Sequence, residues 1–281
     1  MSTQPTVSVI IPTFNRGHTI ANAIQSVQEQ SIKPLEIIVI DDGSTDNTGA
    51  IIKADFPEIK LYRQSNHGVS HARNRGIESA SGEWIALLDS DDAWYPGKLD
   101  AQLNLLERNP ETRLCHCDEH WIRNGRRVNQ RLRHEKRGGN IYQHCLPLCA
   151  ISPSAALIHN SVFEDIGYFD EELPACEDYD FWLRITALEP VVYCDAPLVI
   201  KHGGHADQLS RKFMAMDKFR LIALEKILLA EVLNEPDEQA TINTLHKKFQ
   251  VYSAGAMKRG RTAEVANLRA RYSRWLSRYT E

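Results

Sequence analysis

The carboxylates that could do chemistry gather in three short stretches: Asp41-Asp42, Asp89-Ser90-Asp91-Asp92 and Glu177-Asp178. The middle one follows Ile85 to Leu88, an apolar run that stops at three carboxylates within four residues. Burying unpaired carboxylates is costly, so they belong at an exposed strand end. Carboxylates this close repel one another, and a hard divalent cation relieves that repulsion. The same residues also suit a solvated turn, with Asp91 or Asp92 capping the next helix. Taken alone, the stretch leaves both readings open. Glu177-Asp178 is similarly two-sided: a general base, or first-turn acids that complement a helix dipole.

Other chemistries find less support. Cys115-His116-Cys117 invites a zinc site, but one residue between ligands is tighter than the usual two to four. On a strand, both thiols would share one face. The six cysteines include no C-x-x-C pair and are expected to be reduced. The 281 residues are 42% apolar and 25% charged, as in ordinary globular proteins. Net charge is 33 minus 37, or −4, which gives no global pull toward nucleic acid or an anionic membrane. No apolar run approaches the roughly 20 residues of a membrane span. Met1 to Thr6 lacks the layout of a signal peptide, so a cytoplasmic location is expected.

The elements that must position these acids can be read from periodicity. Val7 to Pro12, Leu35 to Ile40, Ile59 to Tyr62 and Trp84 to Leu88 read as strands. Helices carrying Ile20/Ile24/Val27, Ile51/Ile52 and Val69 to Ser79 alternate with them. That alternation predicts a parallel α/β sheet with helices on both faces, and ligands in such sheets bind at the carboxyl ends of strands. A helix after Pro96 and a strand from Arg113 to Ile122 follow. The basic segment 123–137 reads as an exposed hairpin or loop, or as a rim that meets an anionic group. Glu177 opens a helix with Phe181, Ile185 and Leu188 on its face. Short strands at Val191–Cys194 and Leu198–Ile200 precede a turn at His202-Gly203-Gly204-His205. From about Ser210 the pattern is helical to the end, broken at Pro236 and Gly260. This tail predicts a packing appendage or a homodimer contact; its basic last helix could also lie on a membrane.

No G-x-G-x-x-G follows the first strand and no G-x-x-x-x-G-K-[ST] occurs, against dinucleotide-dependent dehydrogenases and P-loop nucleotidases. Several motifs in order resemble the inverting family 2 glycosyltransferases of GT-A fold. They are Val9-Ile10-Ile11-Pro12-Thr13-Phe14-Asn15-Arg16, Ile38-Val39-Ile40-Asp41-Asp42-Gly43-Ser44-Thr45-Asp46 and Asn66-His67-Gly68-Val69-Ser70-His71-Ala72-Arg73-Asn74-Arg75-Gly76. Leu87-Leu88-Asp89-Ser90-Asp91-Asp92 and Glu177-Asp178-Tyr179-Asp180-Phe181-Trp182-Leu183-Arg184 complete the set, which spans about residues 6 to 210.

The resemblance implies a GT-A catalytic domain over 1–210, with nucleotide-sugar binding over about 1–95 and the acceptor side over about 96–210. A C-terminal helical region, 211–281, follows. It implies that Pro12, Thr13 and Arg16 line the nucleotide pocket, and that Asp42 or Asp41 accepts from base or ribose. Arg73 would approach the base or diphosphate, and Asp89 the ribose or sugar. Asp91, with His205 in preference to His202, would hold Mn²⁺ or Mg²⁺, and Asp178 would be the general base. A solvated aspartate is a feeble base, so partial burial is expected at Asp178. The implied reaction moves a sugar from a nucleoside-diphosphate sugar, a UDP-sugar first of all, to a glycan, lipid-linked or other hydroxyl acceptor. Cell-surface polysaccharide synthesis at the inner face of the membrane is the setting it suggests. The rivals are a sugar nucleotidyltransferase, which would show a glycine-rich basic loop after the first strand, and a non-catalytic nucleotide-sugar-binding module.

Overall fold

The computed structural model describes residues 5–204, 213 and 215–279. The chain lays down the middle of its sheet first. β1 (Val7–Thr13) pairs in parallel with β2 (Glu36–Asp41) on one side and β4 (Trp84–Leu87) on the other. β3 (Lys60–Arg63) extends the sheet beyond β2. Helices α1 (Ile20–Gln28), α2 (Thr48–Asp55) and α3 (Val69–Glu78) make the crossovers. Both faces are covered, which is why these strands are apolar without alternation. Val9, Ile11, Ala86 and Leu88 pack with Ile20, Ile24 and Val27 of α1. Ile10, Ile85 and Leu87 face the other way, toward α3 and the later helices.

The far half of the sheet is mixed. β8 (Ala156–His159) runs antiparallel to β4, and β6 (Leu114–Arg123) antiparallel to β8. β9 (Val192–Gly203) lies parallel to β6, and β5 (Ala93–Trp94) closes the edge, antiparallel to β9. β7 (Arg126–Val128) forms a hairpin with β6. The order is β3-β2-β1-β4-β8-β6-β9-β5. β9 is one strand of 12 residues where two short strands were expected. Its register against β6 shifts around Asp118, opposite Pro197, which cannot donate to the ladder. His202 and Gly203 continue that strand, so the turn expected there does not form at those two residues, while His205 lies outside the described residues.

Of the remaining helices, the first lies on the α1 face of the sheet and the others cap the opposite face. α4 (Lys98–Glu107) follows β5, and α5 (Tyr142–Cys145) and α6 (Ser161–Asp165) flank β8. α7 (Glu177–Thr186) ends before Leu188, which stands exposed rather than on a buried face. Then come α8 (Asp217–Leu229), α9 (Glu235–Lys258) and α10 (Thr262–Leu276). Pro236 sits in the first turn of α9, where its missing N–H costs nothing, and Asn234 caps that turn by accepting from Asp237 N–H at 2.9 Å. Tyr179 and Trp182 of α7 share one apolar core with Leu224, Leu245, Phe249 and Tyr272. Lys226 pairs with Asp180 at 2.9 Å, and the Tyr142 and Thr241 hydroxyls lie 2.7 Å apart. The C-terminal helices therefore back α7 directly. The arginines of α10 are committed to this packing: Arg271 pairs with Glu225, while Arg269 and Arg274 lie over Phe249 and Trp275 at 5.4 and 5.1 Å.

Candidate active site

Because β1, β2 and β4 are parallel, their carboxyl ends open on one edge of the sheet. Thr13 is in register with Asp41, and Asp42 N–H donates to Thr13 C=O at 2.8 Å. Pro12 and Thr13 are buried, and the Thr13 hydroxyl has no partner among the described residues. Asn15, at φ 53°, accepts from Thr45 N–H at 2.8 Å, and Arg16 N–H donates to the Thr48 hydroxyl at 2.8 Å. These bonds weld the loop after β1 to the loop after β2. Asp41 accepts from Ser44 N–H at 2.8 Å, closing its own turn. Asp42 grips the next loop: one oxygen accepts from Gln64 Nε2 at 2.8 Å and His67 N–H at 2.9 Å, the other from Gly68 N–H at 2.9 Å. Gly68 leads into α3 at φ 94°, a left-handed conformation that favours glycine.

α3 explains its motif residue by residue. A Cβ at Gly76 would stand 2.4 Å from Ile10 Cγ2, so the glycine allows the helix to lie close on β1. Asn74 accepts from Phe169 N–H at 3.0 Å and donates to Phe169 C=O at 2.9 Å, fixing the loop that leads to α7. Arg73 is buried between two elements: it donates to Asp89 at 2.8 Å and to Glu177 at 2.6 Å. Burial opposes its charge, but Asp89 and then Glu177 outweigh it and hold the guanidinium above its ordinary value. Glu177 is buried too. Burial, then the adjacent Asp178, pushes its carboxyl up against the pull of Arg73. Arg73 thus ties the acidic turn after β4 to the first turn of α7. Cys176, just before that turn, has φ 63°, a conformation uncommon for a side chain with a Cβ.

The β4 turn is latched from the far half of the sheet. The Ser154 hydroxyl accepts from Asp89 N–H at 3.1 Å and donates to Asp92 at 2.6 Å; Asp92 also accepts from His202 N–H at 2.9 Å. Burial, together with Asp91 and Asp89, raises the Asp92 carboxyl well above its ordinary range against Lys201. Asp92 is therefore structural, while Asp91 is only partly buried. Asp178 is partly buried, as the sequence led us to expect, and borders a small cavity of about 70 Å³ with Glu119, Trp121, Cys149 and Lys201. It accepts from the Cys149 thiol at 3.2 Å. Burial, then Asp178, pushes that thiol well up, so it keeps its proton and donates. Lys201 donates to Ser152 Oγ at 2.6 Å. Burial opposes its charge, yet Glu119, Asp92 and Asp89 hold the ammonium above its ordinary value.

Sequence reasoning missed Ser154, Cys149, Glu119 and Lys201. Only the interruption of the β6 and β9 strand patterns by Glu119 and Lys201 could have signalled any of them. Cys115 and Cys117 are buried in the core. His116 donates to Arg137 C=O at 2.7 Å, and burial drops its pKa to about 3, so this trio is packing, not zinc. Among the described residues no group of three His, Cys, Asp or Glu could hold a metal. A magnesium-type site nonetheless needs only one or two carboxylates plus substrate phosphates. Asp91 fits as one hard oxygen ligand, in a corner where Asp89 and Asp91 already raise Asp92 by their charge.

Comparison with known proteins bears on the family and the fold. An uncharacterized glycosyltransferase of Rickettsia bellii is 33% identical over 222 residues, 75% of this chain and 31% of that protein. The chain spans about a third of the length of the first such Rickettsia relatives, at 31%, 36% and 35%. WfgD of Escherichia coli, a UDP-Glc:alpha-D-GlcNAc-diphosphoundecaprenol beta-1,3-glucosyltransferase, is 27% identical over 232 residues, 82% of this chain and 87% of that protein. The fold superposes on S. aureus TarS 1-349 in complex with UDP-GlcNAc with a TM-score of 0.70 at 22% identity, covering 87% of this chain and 73% of the other. Residues 8–167 match the glycosyl transferase family 2 profile, and the chain belongs to that family.

Proposed function

We propose that this chain transfers a sugar from a nucleoside-diphosphate sugar, most simply a UDP-sugar, to an acceptor hydroxyl with inversion, aided by Mg²⁺ or Mn²⁺. The observation that carries the reading is Arg73, which bonds Asp89 and Glu177 at once and so holds the β4 turn opposite Asp178. Pro12, Thr13, Arg16, Asp41 and Asp42 form the corner proposed for the nucleotide, with the Thr13 hydroxyl still lacking a partner among the described residues. Asp89 faces the ribose or sugar, and Arg73 supports it. Asp91 would hold the metal, with His205 as the second protein ligand. Bound there, the ion would neutralise charge developing on the leaving diphosphate.

The chain's own residues do the rest. Asp178, oriented by the Cys149 thiol and by Tyr179 N–H at 2.7 Å, takes the proton of the attacking hydroxyl. Glu177, committed to Arg73, fixes the helix turn that carries it. Lys201 keeps a fixed positive charge beside the acidic corner. A lipid-linked acceptor in cell-surface glycan synthesis on the cytoplasmic face is the setting we infer, supported by the likeness to WfgD. The test is a thermal-shift panel of nucleotide sugars with Mn²⁺ and with chelator, followed by turnover with the best donor. A stabilisation by UDP-sugars that chelator abolishes, and that Asp91→Ala no longer shows, is expected. No nucleotide sugar stabilising the protein would sink the reading.

A further inference from the structure

The stretch from Arg123 to Arg133 supplies none of the groups assigned above, and its charge is out of balance. Arg123, Arg126, Arg127, Arg131 and Arg133 are all exposed. Arg123 lies over the Trp121 ring at 5.3 Å, and Arg133 donates to His134 at 3.2 Å. None of the five has a carboxylate partner among the described residues. Their neighbours differ: Lys136 is buried against Glu119 at 3.0 Å, and Arg137 pairs with Glu135 at 2.8 Å. Five uncompensated cations on a chain of net charge −4 make a local patch, not a general trend. Leu132 stands in their midst, 92% exposed on a single turn of helix between Arg131 and Arg133. Like charges this close repel one another, and an anionic partner would relieve that repulsion while covering the leucine.

The patch also has a definite place. Arg127, Arg131 and Leu132 line a cavity of about 380 Å³ that shares Glu119, Trp121 and Lys136 with the smaller cavity holding Asp178. Whatever covers the patch therefore lies over a cavity that shares a wall with the one bordered by the proposed base.

We propose that this hairpin and loop dock on an anionic lipid bilayer, with the arginines among the headgroups and Leu132 inserted between them. The occupant is chosen by charge complementarity plus the single apolar tip, a pairing that suits a headgroup layer over an apolar interior. Docking would turn the cavity mouth toward the lipid surface, so a lipid-linked acceptor need not leave the bilayer. That last clause rests on the proposed function; the docking itself does not, and it is measured without donor or acceptor.

The test is co-sedimentation of the full chain with vesicles of phosphatidylglycerol mixed into phosphatidylcholine, and of phosphatidylcholine alone. Binding to the first only is expected, falling as salt rises from about 0.1 to 0.5 M. Each arginine near an anionic surface contributes about fivefold in partitioning, so the triple variant R126S/R131S/R133S should bind about 100-fold more weakly. Arg→Lys at the same three positions should retain binding, and Leu132→Asp should weaken it with the thermal midpoint unchanged. Equal binding to neutral vesicles, no binding to either, or full binding by the serine variant would overturn the proposal. So would a patch that retains a soluble phosphate-bearing sugar but no vesicle.

Discussion

Arg73→Met removes the cation that joins the Asp89 turn to α7 while keeping much of the side chain's volume. Glu177 carries most of the cost, since its side chain is 6% exposed and Asp89's is 29%. Removing one partner of a buried pair costs about 3 to 5 kcal/mol when the other stays ionised. The sign with pH follows from Glu177. Its folded pKa lies above its ordinary value, because burial and Asp178 outweigh Arg73. Such an acid is fully compatible with the fold below its unfolded pKa, and stability is lost as pH rises toward the folded one, at about 1.4 kcal/mol per unit. Without Arg73 that folded value climbs further. Wild type and variant lose stability alike up to the wild-type value, and the variant alone beyond it. Urea unfolding should therefore show a deficit of about 3 to 5 kcal/mol at pH 9, and about 1 to 2 kcal/mol less at pH 6. Adding Glu177→Gln should recover about 2 kcal/mol at pH 9 by removing the stranded charge. A deficit under about 1 kcal/mol, or one that neither pH nor Glu177→Gln changes, would refute the claim that this pair frames the site.

Three further outcomes follow from neighbouring contacts. Asp178→Asn should lower turnover by about 10²- to 10⁴-fold while leaving the nucleotide-sugar thermal shift intact; unchanged turnover would remove Asp178 as the base. Cys149→Ala deletes the thiol that donates to Asp178 at 3.2 Å and helps to orient it, so turnover should fall by about 10-fold, the worth of one hydrogen bond to a charged group, with the nucleotide-sugar thermal shift intact, whereas Cys149→Ser should restore it. Equal turnover by the alanine variant and wild type would show that the contact does not orient the base. For Glu119, burial raises the pKa but Lys136, Lys201 and the Trp121 N–H outweigh it, to about 2. Its stabilisation is complete above about pH 4.5 and lost as pH falls toward 2, so wild type should lead Glu119→Gln by about 3 kcal/mol at pH 7 and the gap should close in acid. A gap that persists at pH 2 in urea titrations would contradict the ion-pair reading.

The half of the site nearest the corner proposed for the nucleotide was partly legible as structure because its constraints are local. Parallel strands put their aspartate-bearing ends together, as the pattern implied; but only Asp89 and Asp91 stay part-exposed there, while Asp41, Asp42 and Asp92 are buried and satisfied by hydrogen bonds that no local pattern announces. Arg73, Asn74 and Gly76 sit within one helix turn, where each spacing has a direct geometric meaning. The opposite half was not legible, and β8 shows why. Four residues carry no period, and nothing local says that Ser154 will reach 65 positions back to Asp89. Lys136 makes the same point inside a basic run: it is the one lysine among six arginines, yet nothing local says that it, and not one of them, will face Glu119. The helical tail gave its apolar stripes away but not their partner, since burial has no direction; α7 backing onto α8 and α9 came only with the structure. This division bears on chemistry. The groups proposed to meet the diphosphate are set by short motifs, while the groups around Asp178—Cys149, Glu119 and Lys201—come from segments joined only by packing. A change of acceptor can therefore be built by altering the far half of the sheet, with the corner at β1, β2 and β4 left as it is.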